Sequence, residues 1–279
     1  MKIVYFLLTL LLLLSVAPLL NIVAVSLSSS TAIQTGRVFL WPVELNFDSY
    51  LLLIRGTRIV HALLNSVELT VVGVLLCLVC TVFTAYPLSK PFFIGRRFFS
   101  LAIVFSMLFS GGLIPSYLVV KALGLLDSYY ALWLPGLIST YNVLIMKSYF
   151  ENISKEIEEA ARMDGCGEFR IIARIMLPLS LPMIATLALF YGVGFWNAFM
   201  SVLIYINTSE KYTLTVLVQQ MIQSQSLLQE QMQMDAFQPK VPESIKSAAV
   251  IVMVMPMLAV YPFLQKYFVK GVMLGSIKG

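Results

Sequence analysis

Residues 154–182 read SKEIEEAARMDGCGEFRIIARIMLPLSLP, a polar run between long apolar segments. Ser154 is placed to cap a helix, since its hydroxyl can accept an orphan backbone N–H of the first turn. Glu156, Glu158 and Glu159 follow, at the end where the helix dipole favours negative charge. Ile157, Ala160, Ala161 and Met163 recur along one side at helical spacing. Gly165 and Gly167 stop the helix, because glycine reaches backbone angles that other residues avoid. A second short amphipathic helix is predicted beyond them, with Phe169, Ile172, Ala173 and Met176 inward. Pro178 and Pro182 then redirect the chain. The residues alone predict two short helices at a bend outside the bilayer. They leave equally open an ordinary loop with a surface helix.

The rest of the chain decides that there is a bilayer. Of 279 residues, 59% are hydrophobic and 12% charged, with a mean hydropathy of +0.88. A soluble domain carries about 25% charged residues. The fold class expected is an all-α membrane protein, one domain over 1–279 with six spans. The spans are predicted at about 3–27, 63–88, 98–122, 129–150, 183–206 and 245–265. Each exceeds the roughly 20 residues that cross a hydrocarbon core. Lys2 before the first span also fits a secretory signal, but its apolar run is long enough to be a retained span.

The net charge of +5 follows the membrane and not a nucleic-acid partner. With the N-terminus inside, twelve of the nineteen Lys and Arg fall in inside segments. The positive-inside rule then places both termini and the 154–182 stretch in the cytoplasm. His61 is the single histidine, and Cys77 and Cys80 lie within an apolar run. Neither metal nor redox chemistry follows from that set, and thiols packed among helices are the simpler account.

The stretch 154–178 resembles the EAA motif of binding-protein-dependent ABC importers. Glu159-Ala160-Ala161, three residues, Gly165, nine residues, Ile175, one residue and Leu177-Pro178 match its signature positions, with Asp164 beside the glycine. Cys166 stands where many relatives have alanine. The resemblance implies a type I ABC importer permease fold, with this stretch as the cytoplasmic coupling helix docking on an ATPase subunit. It implies a second homologous permease subunit, two ATPase subunits, and an extracellular or periplasmic solute-binding protein. It also implies the cytoplasmic (inner) membrane of a bacterium or archaeon. No Gly-x4-Gly-Lys-Ser/Thr pattern occurs in the chain, so it shows no nucleotide site of its own. On this resemblance the chain binds no cofactor, and ATP and Mg belong to the ATPase subunits. A catalytic role is not expected.

Residues 109–136, FSGGLIPSYLVVKALGLLDSYYALWLPG, resemble the carbohydrate branch of that family, and within it the second, maltose-type permease subunit. A sugar, specifically an oligosaccharide, is therefore the expected cargo. Substrate-path candidates are Tyr141 and Asn142 in the fourth segment and Tyr191, Trp196 and Asn197 in the fifth. Aromatic faces stack on sugar rings and amides bond hydroxyls, although helix packing explains the same residues. Glu68, an acid near the outer end of the second segment, is a further candidate. Two external loops, 28–62 and the glutamine-rich 207–245, carry no readable chemistry, although the second faces the binding protein in the family. A permease for peptides, amino acids or phosphate shares the motif. An ion-coupled secondary transporter would need several mid-span acids, and a membrane enzyme a cluster of catalytic groups.

Overall fold

A computed structural model describes residues 2–109, 111–231 and 243–276. It divides into two compact units: Met1–Asn65 with Tyr212–Ala259, and Ser66–Lys211 with Val260–Gly279. Helices are the only regular elements among the described residues.

The first unit begins with α1 (Lys2–Ser26), almost wholly apolar, followed by α2 (Ser30–Gln34) and α3 (Asp48–Gly56). The predicted external loop 28–62 folds back on the end of α1. Asn46 N–H donates to the Leu27 carbonyl at 2.9 Å and Val43 N–H to Ser28 Oγ at 3.0 Å. Tyr50 donates its hydroxyl to Ser26 Oγ at 2.9 Å. In α3, Leu53 is buried and Leu51, Leu52 and Ile54 are exposed. Within the predicted external loop 207–245, α14 spans Leu214–Gln231, and 232–242 lies outside the described residues.

The second unit holds most of α4 (Ile59–Ser89), then α5 (Arg96–Leu108), α6 (Leu113–Ala122), α7 (Tyr130–Trp133) and α8 (Thr140–Glu151). The chain continues as α9 (Lys155–Met163), α10 (Glu168–Ile171), a π-turn at Ile172–Met176, α11 (Leu177–Leu179), α12 (Leu181–Trp196) and α13 (Met200–Tyr205). The last helix, α15, runs Glu243–Ser276, well past the predicted end of the sixth segment.

Among the described residues, three helical stretches are long and apolar enough to cross a membrane: Val4–Ser26, Ile59–Ser89 and Glu243–Pro262. Two bent pairs pass the same test jointly, Arg96–Leu108 with Leu113–Ala122, and Glu168–Leu179 with Leu181–Trp196. The third predicted segment is thus split where Gly112 takes φ +86°. Pro115 sits in the first turn of α6, where its missing N–H costs nothing.

Two other predicted segments contain breaks. The fourth, expected as one helix over 129–150, is interrupted by a 3₁₀ turn at Leu134–Gly136. Pro135 and Gly136 supply a missing donor and a flexible backbone there. Helix α8 restarts at Ser139, whose side chain accepts the Asn142 N–H. The fifth, expected over 183–206, breaks between Trp196 and Met200.

One core joins these pieces. Val82, Ala85, Tyr86 and Leu88 of α4 cluster with Val143, Met146 and Phe150 of α8 and Leu187 of α12. Ala161, Ile171, Ile172 and Met176 of the bend belong to the same cluster. The polar stretch is therefore rooted in the helices and is not a free surface loop. That decides between the two alternatives its sequence left open.

Candidate functional site

Helix α9 ends in a Schellman arrangement. Cys166 N–H donates to the Ala161 carbonyl and Gly165 N–H to the Arg162 carbonyl, each at 3.0 Å. Gly165 is left-handed at φ +77°, the conformation this cap requires. Gly167 has φ −72° and begins α10, so it does not share the stopping role predicted for it. Ser154 stands at the N-cap position but makes no side-chain cap bond.

The inward face also differs from expectation. Glu158 and Ala161 are the buried residues of α9, while Ile157, Ala160 and Met163 are exposed, Met163 at 88%. In the second limb Ile171, Ile172 and Met176 are buried, whereas Phe169 and Ala173 are exposed. Ile157, Ala160 and Met163 face away from the rest of their chain, and the inward side is shared by Ala161 and by charge pairing. Lys90 and Glu158 form a buried ion pair, and Arg162 pairs with Glu168 at 2.8 Å.

Glu159 and Asp164 are exposed, Ile175 and Leu177 are half-buried, and Pro178 is exposed. Pro178 cannot donate to the Arg174 carbonyl four residues back. The helix relaxes into the π-turn at that point, a feature frequent at functional sites.

The substrate-path candidates separate into two groups. A cavity of about 310 Å³ is lined by Ser139, Asn142, Phe190, Tyr191, Phe195 and Ser201, among others. Tyr191 and Asn142 therefore share this cavity. Tyr141 does not line the cavity; it is exposed, with its ring 6.3 Å from that of Phe190. Trp196 and Asn197 do not line it. Trp196 is buried, and Asn197 points outward and donates to the Val193 carbonyl at 3.0 Å. Adjacent helical residues point about 100° apart, so the pair cannot act on one sugar face. Glu68 is exposed and also lies off this cavity. Thr81, which sequence reasoning missed, holds the Tyr191 hydroxyl at 2.7 Å in a buried contact. A lone hydroxyl in an apolar run is a weak but usable signal of such a partner.

Residues 58–274 match the family described as binding-protein-dependent transport system inner membrane component. The chain belongs to that family. This permease is 41% identical over 268 residues to the polygalacturonan/rhamnogalacturonan transport system permease protein YtcP of Bacillus subtilis (strain 168), covering 96% of this chain and 94% of that one. It is 42% identical over 267 residues to protein LplC of the same organism, covering 95% and 90%. A solved structure, described as a bacterial ABC transporter involved in the import of the acidic polysaccharide alginate, aligns with a TM-score of 0.86 at 32% identity. That alignment covers 96% of this chain and 95% of the other. The fold is the all-α ABC importer permease fold, and the chain is an integral membrane, non-catalytic transport subunit. Family membership implies in general terms a second permease, ATPase subunits and a substrate-binding protein.

The permease carries one more polar constellation, outside the spans. Asp127 takes φ +59° and turns toward residues 207–211. Its carboxylate accepts from Asn207 N–H at 3.0 Å, Thr208 N–H at 2.9 Å, the Thr208 hydroxyl at 2.7 Å and Lys211 Nζ at 2.8 Å. The Lys211 ammonium, with the Thr208 donors behind it, holds this carboxyl well below the usual carboxylate range. A depressed acid contributes stability above its unfolded pKa of about 4 and loses it as the medium turns acid. Asp127→Asn keeps a residue that tolerates this backbone but gives up the charge. It is expected to cost about 1–2 kcal/mol of thermal stability, with the loss present at pH 7 and shrinking toward pH 3. Thermal scans of the purified complex at both pH values check this, and equal losses at both would exclude the charge as the cause.

Proposed function

We propose that this chain is one of the two membrane-spanning subunits of an ATP-driven importer that translocates an oligosaccharide handed over by an extracellular binding protein. The observation that carries the cargo is the near full-length similarity to a permease named for polygalacturonan and rhamnogalacturonan. The likeness to the alginate importer supports the same class. The bend carries the drive. Glu159, Ala160, Asp164 and Gly165 with Ile157 and Met163 offer an outward face on a helix that is rooted in α4 and α8. Ala161, Ile175, Leu177 and Pro178 shape the support behind that face.

In this proposal ATP and Mg bind the ATPase subunits and none binds this chain. Both termini lie in the cytoplasm of a bacterial or archaeal cell, with α9 facing the ATPases. Closure of the ATPase dimer draws two coupling helices together. The spans then rock as rigid bodies between inward- and outward-open arrangements.

The cavity between α8 and α12 supplies the sugar contacts. Asn142, Ser139 and Ser201 offer hydrogen-bonding groups, while Phe190 and Phe195 offer apolar surface. No Lys or Arg lines it, so it suits the hydroxyl-bearing part of a sugar and leaves any carboxylate to groups elsewhere in the complex. Asn142→Ala is expected to raise the oligosaccharide concentration for half-maximal uptake about fivefold, the worth of roughly one hydrogen bond. The assay is uptake of labelled oligogalacturonate into vesicles containing the complete importer, with ATP inside. Uptake that follows an ion gradient and ignores ATP would overturn the proposal.

A further inference from the structure

Lys90 and Glu158 have no assigned task, yet they are the most deeply buried charges in the described part of the second unit. Their side chains are 9% and 10% exposed. Taking two charges out of water is expensive, and an apolar pair of similar volume commonly serves stability as well or better. What an ion pair adds is direction. Lys90 directly follows α4, and its ammonium also sits 4.5 Å above the Tyr86 ring. Glu158 is the inward residue of α9, while its neighbours Ile157 and Ala160 face outward. A roll of one residue would turn Ile157 inward and remove the outward face.

The same end of α4 also holds the second limb of the bend. Tyr86 donates its hydroxyl to Glu168 Oε2 at 2.7 Å, and Glu168 Oε1 meets Arg162 at 2.8 Å across Gly165. The Arg162 guanidinium stacks over Phe92, just beyond α4, at 4.8 Å. Both limbs are thus tied to one helix by polar groups that reach across a hydrophobic core.

We infer that Lys90 and Glu158 are a positioning pair that fixes the rotational register of α9 on α4, so that force on the outward face moves α4 and is not spent rolling α9. The inference rests on the coupling role proposed above. It places Lys90, at the end of a span far from the motif in sequence, within the transmission path.

The test uses the complete importer in vesicles, with oligogalacturonate as probe. In the double variant Lys90→Met with Glu158→Gln, no buried charge is left unpaired. It is expected to insert and to retain its ATPase subunits at the native ratio. ATP hydrolysed per molecule imported is expected to rise about tenfold, the range that changes along a coupling path produce. Lys90→Arg, which keeps the pair, is expected to stay within about twofold of native on the same grounds. A native ratio in the neutral pair would overturn the inference, and so would Lys90→Arg as uncoupled as the neutral pair. Loss of assembly in the neutral pair would overturn it too, since the pair would then be a folding element. Failure of the unaltered chain to bind ATPase subunits would instead sink the coupling proposal itself.

Discussion

Gly165→Val is expected to reduce uptake by about ten- to hundredfold while membrane insertion stays normal. The side chain itself meets no obstacle, since nothing lies within 4 Å of a Cβ built at this position. The cost is in the backbone. Gly165 sits at φ +77°, where a non-glycine residue pays about 1–3 kcal/mol, and a β-branched one belongs at the upper end. Each 1.4 kcal/mol is a factor of about ten in the population of the bend, which gives the range stated. The strain is relieved if α9 continues through residue 165. That continuation would break the bonds from Gly165 to Arg162 and from Cys166 to Ala161. It would also pull Ile171, Ile172 and Met176 out of the core they share with α4 and α8. Gly165→Asn should recover most of the activity, because asparagine enters this region more readily. Gly167→Ser is the control. Gly167 has an ordinary φ of −72° at the start of α10, where serine is a good cap. The readouts are uptake and stimulated ATP hydrolysis in vesicles. Native uptake by Gly165→Val would show that the bend angle does not matter.

The bend was legible because its determinants are local. A glycine at the stop, acids at the start and a proline after the second limb each act within one turn, so spacing alone predicts two helices and a break. The inward face was not legible, because it depends on a partner 68 residues away. Of the side formed by Ile157, Ala160, Ala161 and Met163, only Ala161 is buried, because Lys90 claims Glu158 for the interior and leaves the other three outward. The same limit governed the fourth and fifth segments. Hydropathy averaged over a window passes smoothly across Pro135-Gly136 and across Asn197, although the backbone breaks at both. Of the substrate-path candidates, Asn142 and Tyr191, read as polar groups in apolar runs, line one cavity. Trp196 and Asn197 were paired by adjacency in sequence, which on a helix means different faces.

Ala160 and Ala161 are identical in sequence terms and opposite in place, and this separates docking from folding. Ala160 is exposed, whereas Ala161 is 7% exposed and lies in the cluster with Val82, Tyr86 and Phe150. Ala160→Arg should leave the permease folded and inserted, because the new side chain enters open space. On the proposed docking face it holds the ATPase surface off and brings in a charge to be desolvated. A well-placed interface residue is worth about 2 kcal/mol or more, so ATPase retention should fall about thirtyfold and uptake with it. Ala161→Leu should do the reverse in order of events. Inserting three carbons into a packed core costs about 1–3 kcal/mol, so the thermal midpoint of the purified permease drops first. Uptake then falls because α9 is displaced from α4. Measuring the midpoint of the permease alone and ATPase retention in the complex distinguishes the two sites. If Ala160→Arg lowered the midpoint and left ATPase retention intact, the outward face of α9 would not be where the motor binds.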